Sequence, residues 1–279
     1  MSAYICQRHS DASQFLERAR PWLVGNEAEN NLILGVAAQL ERSWAANPGA
    51  YLATIEHDGA VTGCAFRTPP YKLGVTRMPL GAARALAEDV VTAFDDAPSV
   101  LGNEAVASAV ASHVAEARGL SVEPGMRQCI YELKQVVMPE RHAPGKLRLG
   151  QPGDAELFAQ WLIEFAAETG HGPADLRSYT QAHIANKTLF LWDDHGPKTC
   201  AVWAGTTPHG VRIGFVYTPP EFRARGYASA CVAAASQRAL DSGYGFCCLY
   251  TDAGNPTSNS IYQKIGYQLV CEVLDYNVT

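Results

Sequence analysis

The sequence lacks any apolar run long enough to cross a membrane. A spanning helix needs roughly 20 consecutive apolar residues, and no stretch of the 279 residues approaches that length. The first ten residues also lack the basic start and the apolar segment of a secretion signal. These absences predict a cytoplasmic protein with no membrane partner.

Paired cysteines of the kind that bind zinc are also missing. None of the eight cysteines forms a Cys-x-x-Cys pair, and most lie in apolar segments. We therefore expect buried, reduced thiols and no metal. The net charge of −6 gives no general attraction to nucleic acid, so no nucleic-acid partner is expected.

Two common nucleotide-binding motifs are absent as well. The sequence contains no Gly-x-x-x-x-Gly-Lys-Ser/Thr, and its glycines do not follow the Gly-x-Gly-x-x-Gly spacing of dinucleotide folds. A nucleotide-binding α/β protein is therefore a weaker hypothesis than those developed below.

The chain is long enough for two domains of roughly 140 residues each. A segment rich in proline and glycine near its middle predicts a linker at residues 139–145. The domains would then be residues 1–138 and residues 146–279, and a similar order of elements is found on both sides of the linker. The role of the first half in acceptor binding, dimerisation or covering a sheet edge stays open.

Hydrophobic spacing predicts an alternation of helices and strands in both halves. In the second half we predict strands at 146–149, 187–192, 199–206, 211–218, 246–250 and 267–278, and helices at 153–169, 175–185, 225–242 and 257–264. In the first half we predict strands at 50–56, 61–66 and 128–137, and helices at 81–94 and 104–118.

The segment 212–229 combines a strand, a tight loop and the start of a helix. A helix N-terminus leaves N–H groups unpaired and carries partial positive charge, so it attracts anions. Gly226 and Ala228 keep side-chain bulk away from such an anion, and Arg223 and Arg225 add positive charge. The pattern predicts a pyrophosphate site, although a charged loop with an incidental glycine would look the same.

A second motif follows the next predicted strand. Asn255 and Pro256 start a short helix, Tyr262 lies two turns into it, and Gly266 ends it before Tyr267. With these residues the second half resembles the GNAT (general-control N-acetyltransferase) superfamily. Arg223-x-x-Gly-x-Ala228 matches its pyrophosphate loop, and Asn255, Tyr262 and Gly266-Tyr267 match its second motif. The resemblance covers about residues 146–279.

The resemblance implies an α/β fold, with a mixed, largely antiparallel twisted sheet flanked by helices. The first half would be a degenerate second copy that lacks the pyrophosphate loop. In the family, acetyl-CoA binds along a strand that splays from its neighbour. The cofactor-binding residues implied here are Val216, Tyr217, Thr218, Arg223, Ala224, Arg225, Gly226, Tyr227, Ala228, Ser229 and Asn255.

The resemblance also implies catalytic roles. Tyr262 matches the general acid that protonates the leaving thiolate, and a backbone N–H of Val216 or Tyr217 would stabilise the oxyanion. A glutamate before the Asn segment is replaced by Tyr250. Glu164 or Glu168 could be the base, although a solvated helix face also explains them, and a water relay would need neither.

Two functions remain open from the sequence alone. The first is an N-acetyltransferase that acts on a primary amine of a small molecule or peptide by direct attack in a ternary complex. The second is a non-catalytic acyl-CoA-binding regulatory or sensor module. The protein would be a monomer or a homodimer. His171, His183, His195 and His209 are expected to be solvated.

Overall fold

The computed structural model describes residues 3–139, 143–170, 172–173 and 175–279. Contacts divide the chain into two compact units. Unit 1 consists of Met1–Ile130, Thr251–Asn255 and Val270–Thr279, and unit 2 consists of Tyr131–Tyr250 and Pro256–Leu269.

The first part of the chain supplies six strands and four helices. They are β1 (Ile5–Arg8), α1 (Ala12–Val24), α2 (Asn31–Ser43), β2 (Tyr51–His57), β3 (Ala60–Arg67), β4 (Leu73–Val75), α3 (Leu80–Ala93), β5 (Val100–Gly102), α4 (Glu104–Arg118) and β6 (Val122–Leu133).

The rest of the chain supplies six strands and four helices. They are β7 (Lys146–Leu149), α5 (Ala155–Thr169), α6 (Leu176–Ala185), β8 (Leu189–Asp193), β9 (Pro197–Thr206), β10 (Gly210–Tyr217), α7 (Tyr227–Asp241), β11 (Phe246–Asp252), α8 (Pro256–Lys264) and β12 (Gln268–Val278).

The sheet of unit 1 runs in the order β1-β2-β3-β4-β5-β12. Its pairs are antiparallel except β4 with β5. Successive residues of β2 point to opposite faces. Tyr51, Ala53 and Ile55 join the core beneath α3 and α4, and Leu52 joins the core beneath α1 and α2. Helices therefore cover both faces of this sheet.

Unit 2 contains the order β7-β8-β9-β10-β11, in which only β10 and β11 are parallel. Leu189 and Leu191 of β8 pack with α5. The intervening Phe190 lies 4.9 Å from Trp203, ring to ring, and the Trp203 indole N–H donates to the carbonyl of Ala235 on α7 at 3.3 Å. The strands of unit 2 are therefore also covered on both faces.

The division by contacts differs from the two consecutive domains that the sequence suggests. Val270–Thr279 belongs to unit 1 because β12 pairs antiparallel with β5, with Leu274 opposite Gly102. Tyr131–Met138, in contrast, falls in unit 2. The predicted linker includes residues 140–142, which lie outside the described residues, so the boundary at 139–145 stays a prediction.

The mixed, largely antiparallel sheet flanked by helices confirms the predicted fold class. The helix and strand predictions for residues 146–279 all correspond to observed elements, with ends displaced by a few residues. In the first half, β6 begins at Val122 and not near Gln128. Three short strands were missed, namely β1, β4 and β5, because three or four residues are too few to show a hydrophobic period.

None of the described helices is long and apolar enough to cross a lipid bilayer. The described residues also contain no group of three or more His, Cys, Asp or Glu side chains arranged to hold a metal ion.

The core of unit 2 should depend strongly on Phe158, which is fully buried on α5. Phe158→Ala leaves a cavity, so we expect it to lower the free energy of unfolding by about 3–5 kcal/mol. Ile163→Ala on the same helix is the control, because Ile163 is 50% exposed. Its cost should stay within about 0.5 kcal/mol. Urea denaturation measures both, and equal losses would contradict this account of the core.

Candidate functional site

Strands β10 and β11 begin as a parallel pair and then separate. Their register covers only Gly210 opposite Phe246, Val211 opposite Cys247 and Arg212 opposite Cys248. In the described chain, residues 213–217 of β10 have no partner on β11. An opening of this kind leaves backbone donors and acceptors free, and an extended ligand can pair with them as an added strand.

A β-bulge lies in the separated part of β10. Gly214 is opposite Val202, and Tyr217 is opposite Cys200. The strand β10 therefore contains one residue more than β9 over this interval, which is how a bulge is defined. Phe215 within the bulge has φ +43°, a conformation that costs energy for a bulky side chain.

Aromatic packing holds Phe215 in this conformation. Its ring centroid is 4.7 Å from that of Phe165 and 5.4 Å from that of Phe158, both on α5. Tyr217 returns to the register of β9, and its carbonyl accepts a hydrogen bond from the Thr199 hydroxyl at 2.7 Å. Of the two backbone donors predicted from the sequence, Val216 therefore lies inside the bulge and Tyr217 lies at its end.

The predicted pyrophosphate loop follows β10 directly. A short 3-10 turn, Pro220–Phe222, is followed by Arg223 and by two residues with positive φ, Ala224 at +61° and Gly226 at +84°. Gly226 is the N-cap of the 15-residue helix α7. Alternating backbone conformations at a helix start turn successive N–H groups toward one point, which suits an anion. The backbone of residues 224–229 therefore fits a pyrophosphate group.

The side chain of Arg223 forms hydrogen bonds with Glu168 and Thr218, which lie outside the 224–229 backbone. One guanidinium nitrogen donates to both Glu168 oxygens at 2.6 and 2.9 Å, and Nε donates to the Thr218 carbonyl at 2.8 Å. These hydrogen bonds to Glu168 raise the pKa of Arg223 above its ordinary value. We expected the charge of Arg223 to serve the anion, but here it neutralises a carboxylate on α5. Arg225 is exposed beside the loop.

Glu164 and Glu168 lie one turn apart on α5, and both approach the side chain of Tyr217. The Tyr217 hydroxyl donates to Glu164 at 3.0 Å and lies 3.5 Å from Glu168. Burial, together with the hydrogen bond to Glu164, raises the pKa of Tyr217 to about 12. The sequence suggested both glutamates but gave no role to this hydroxyl.

Tyr262 is held within α8 and is 8% exposed. Its ring makes an edge contact with Tyr267 at 6.0 Å between centroids. Burial raises the pKa of Tyr262 to about 12, so the phenol keeps its proton near pH 7 and can donate it. The short helix predicted at 257–264 is observed as α8.

Asn255 directly precedes α8, and its backbone N–H donates to the Asp252 carbonyl at 3.0 Å. The Asp252 carboxylate accepts the Gly254 N–H at 2.8 Å and so caps this turn. By its contacts Asn255 belongs to unit 1, whereas the 223–229 loop and Tyr262 belong to unit 2. Its role toward a cofactor stays a prediction.

The corresponding strands of unit 1 leave no such opening. All three residues of β4 pair with β5, from Leu73 opposite Val100 to Val75 opposite Gly102. The strands lie so close that a Cβ on Gly102 would collide with the Val75 carbonyl oxygen. Helix α3 starts after Pro79, whose side chain caps nothing. That the first half lacks a cofactor site stays a prediction.

His183 was wrongly predicted to be solvated. It is half-buried on α6, shares a 2.7 Å hydrogen bond through Nδ1 with the Thr188 hydroxyl, and lies 4.3 Å from the Tyr179 ring. Burial lowers the pKa of His183 to about 4. His195 and His209 are exposed as predicted, and His171 lies outside the described residues.

Comparisons with known proteins bear on the fold. Residues 194–274 match the family model for FR47-like proteins, a stretch that contains the loop, Asn255 and Tyr262. The fold also matches a GNAT-family acetyltransferase from Colwellia psychrerythraea, with a TM-score of 0.62, 11% identity and coverage of 98% of this chain and 99% of that one. The chain has the GNAT fold.

Two further solved structures also match over nearly the whole chain. A GCN5-related N-acetyltransferase from Sphaerobacter thermophilus matches with a TM-score of 0.62 and 18% identity, over 99% of this chain and 95% of that one. A Drosophila protein matches with a TM-score of 0.70 and 16% identity, over 99% and 98%. No curated protein matches the sequence. At these identities the likeness shows the fold alone. Because the matches cover 99% of the chain, they contain residues of both units.

The buried His183 should make folding stability depend on pH. Its pKa is about 4 in the folded chain and about 6.5 when unfolded. The neutral form is thus favoured by folding, so its contribution is complete above pH 6.5 and is lost as the pH falls toward 4. Between about pH 7.5 and pH 4.5, His183→Phe should gain about 1–3 kcal/mol relative to the wild type. Denaturant titrations at both pH values measure this difference, and parallel losses in the two proteins would refute it.

Proposed function

We propose that the protein is an N-acetyltransferase that transfers an acetyl group from acetyl-CoA to a primary amine of a small molecule or peptide. The observation that carries the proposal is the arrangement at the end of β10. The strand separates from β11 and leads directly into a loop whose backbone suits a pyrophosphate. An opening for an extended arm next to an anion site fits the pantetheine arm and the adjoining pyrophosphate of coenzyme A.

The cofactor would lie along Val216, Tyr217 and Thr218, with its pantetheine arm paired to their free backbone groups. The N–H groups from Ala224 to Ser229 would bind the pyrophosphate, assisted by Arg225. Asn255 would hydrogen-bond the arm, as the family resemblance implies. Arg223, held by Glu168, would stabilise the loop and not contact phosphate directly.

The bound cofactor supplies an activated acetyl group as a thioester. Val216 lies in the bulge, and its backbone N–H would donate to the thioester oxygen as negative charge develops there. Tyr217 offers the second candidate N–H. Tyr262 keeps its proton near neutral pH and would pass it to the leaving sulfur. An ammonium acceptor must first lose a proton, for which Glu164 and Glu168 are the available carboxylates.

Gly226 should be needed for cofactor binding, because it combines a positive φ with a place at the anion-binding backbone. Gly226→Ala should weaken the binding of coenzyme A by about tenfold, or about 1.4 kcal/mol. Gly243→Ala is a matched control, since Gly243 follows the other end of α7, has φ +97° and has open space around its Cβ position. Calorimetric titration with coenzyme A compares the variants. Equal affinities, or no heat with the wild type, would rule out this site.

Tyr262→Phe should separate binding from catalysis. Because only the phenolic hydroxyl is removed, we expect an unchanged affinity for coenzyme A and a turnover about 100-fold lower. Release of free thiol from acetyl-CoA is followed with a panel of polyamines, aminosugars, amino acids and peptides. An unchanged turnover would exclude Tyr262 as the acid. A wild-type protein that binds coenzyme A but acetylates no amine would favour a binding module.

A further inference from the structure

The two glutamates on α5 differ in their partners. Glu168 is bound by the guanidinium of Arg223 through both carboxylate oxygens. Glu164 accepts hydrogen bonds from the Gln160 amide at 3.0 Å and from the Tyr217 hydroxyl at 3.0 Å. Both donors to Glu164 are neutral, and in the part of the chain that the structure describes no cation pairs with it.

This difference decides which carboxylate is left to receive an ammonium group. The charge of Glu168 is already paired with the guanidinium of Arg223, whereas in the described residues no cation pairs with Glu164. An uncompensated, half-buried carboxylate attracts an ammonium group and can accept its proton.

Tyr217 connects Glu164 to the strand proposed to bind the thioester. Its backbone follows Val216 in the bulge, and its side chain reaches α5. Because the pKa of Tyr217 is raised to about 12, the hydroxyl stays a donor across the neutral range and cannot compete for the acceptor's proton. The ring is held by Trp161 and Phe165, both at 6.4 Å between centroids.

We propose that Tyr217 is a positioning residue that holds Glu164 as the carboxylate which receives the acceptor's proton, while Glu168 is reserved for the ion pair with Arg223. This inference rests on the proposed acetyltransferase function. It assigns a role to the Tyr217 side chain and chooses between the two glutamates, which the sequence could not do.

The proton balance of the step is as follows. The ammonium nitrogen gives one proton to Glu164, which passes it to water, and the neutral nitrogen forms the C–N bond with the acetyl carbon. As the C–S bond breaks, Tyr262 gives its proton to sulfur, and the second proton lost by nitrogen passes through solvent to the Tyr262 phenolate and restores it. The products are an amide, a free thiol and one released proton, with Glu164 again ionised.

Two amines of nearly equal size test the assignment. Ethylamine is protonated at pH 7 and needs a base, whereas the fluorines of 2,2,2-trifluoroethylamine withdraw electrons and leave its nitrogen mostly neutral. Glu164→Gln should lower kcat/KM for ethylamine by about 100-fold or more. The value for trifluoroethylamine should change by less than about threefold, because that amine needs no base.

Two further variants test the separate roles of Tyr217 and Glu168. Tyr217→Phe should lower the ethylamine value by about tenfold through lost positioning, with little effect on trifluoroethylamine. Glu168→Gln should leave the ratio of the two amines unaltered, whatever its effect on the absolute rates.

Glu156→Gln is the matched control, since Glu156 is exposed on the same helix and has no proposed role. Coenzyme A titration and denaturant unfolding show whether each variant is folded and binds its cofactor. A changed ratio in Glu168→Gln, or an unchanged ratio in a folded Glu164→Gln protein, would overturn the assignment and leave the acetyltransferase function standing. A wild type that binds coenzyme A yet acetylates neither these two amines nor any amine of the panel would count against the function itself.

Discussion

The separation of β10 from β11 is the constraint on which the proposed site depends. Parallel strands in a sheet normally pair along their whole length, and in this structure pairing stops at Arg212. The bulge at Phe215 redirects the strand, and the rings of Phe158 and Phe165 keep it there. The cost of an unfavourable φ at Phe215 is therefore met by aromatic packing against α5, at a distance from the opening itself.

The same helix, α5, also supplies the charged groups around the site. Phe158 and Phe165 support the backbone of the bulge, while Glu164 and Glu168 reach Tyr217 and Arg223. Arg223 is the first residue of the loop, so its ion pair with Glu168 connects the backbone proposed to bind pyrophosphate to the helix. One amphipathic helix thus controls both the shape of the strand and the charge beside it, which explains why so little of the arrangement is visible in the loop sequence alone.

The parts of the site that the sequence predicted are those with local causes. The loop and the α8 helix were foreseen because glycine, proline and small residues act on the backbone next to them. The helix predicted to start at Asp175 is likewise observed, and the Asp175 carboxylate caps it by accepting the N–H groups of Arg177 and Ser178, both at 3.0 Å. What could not be foreseen depends on residues far apart in the chain. The Arg223–Glu168 pair spans 55 residues, and nothing next to Phe215 indicates its positive φ.

The place of β12 has a consequence for synthesis on the ribosome. Residues 270–279 complete the sheet of unit 1 beside β5, although most of that unit is formed by the first 130 residues. The early part of the chain therefore emerges with the β5 edge of its sheet uncovered. The strand that pairs with this edge, β12, is translated more than 160 residues later. Until then the nascent chain exposes backbone that other strands could pair with, so this fold has to protect an incomplete half during translation.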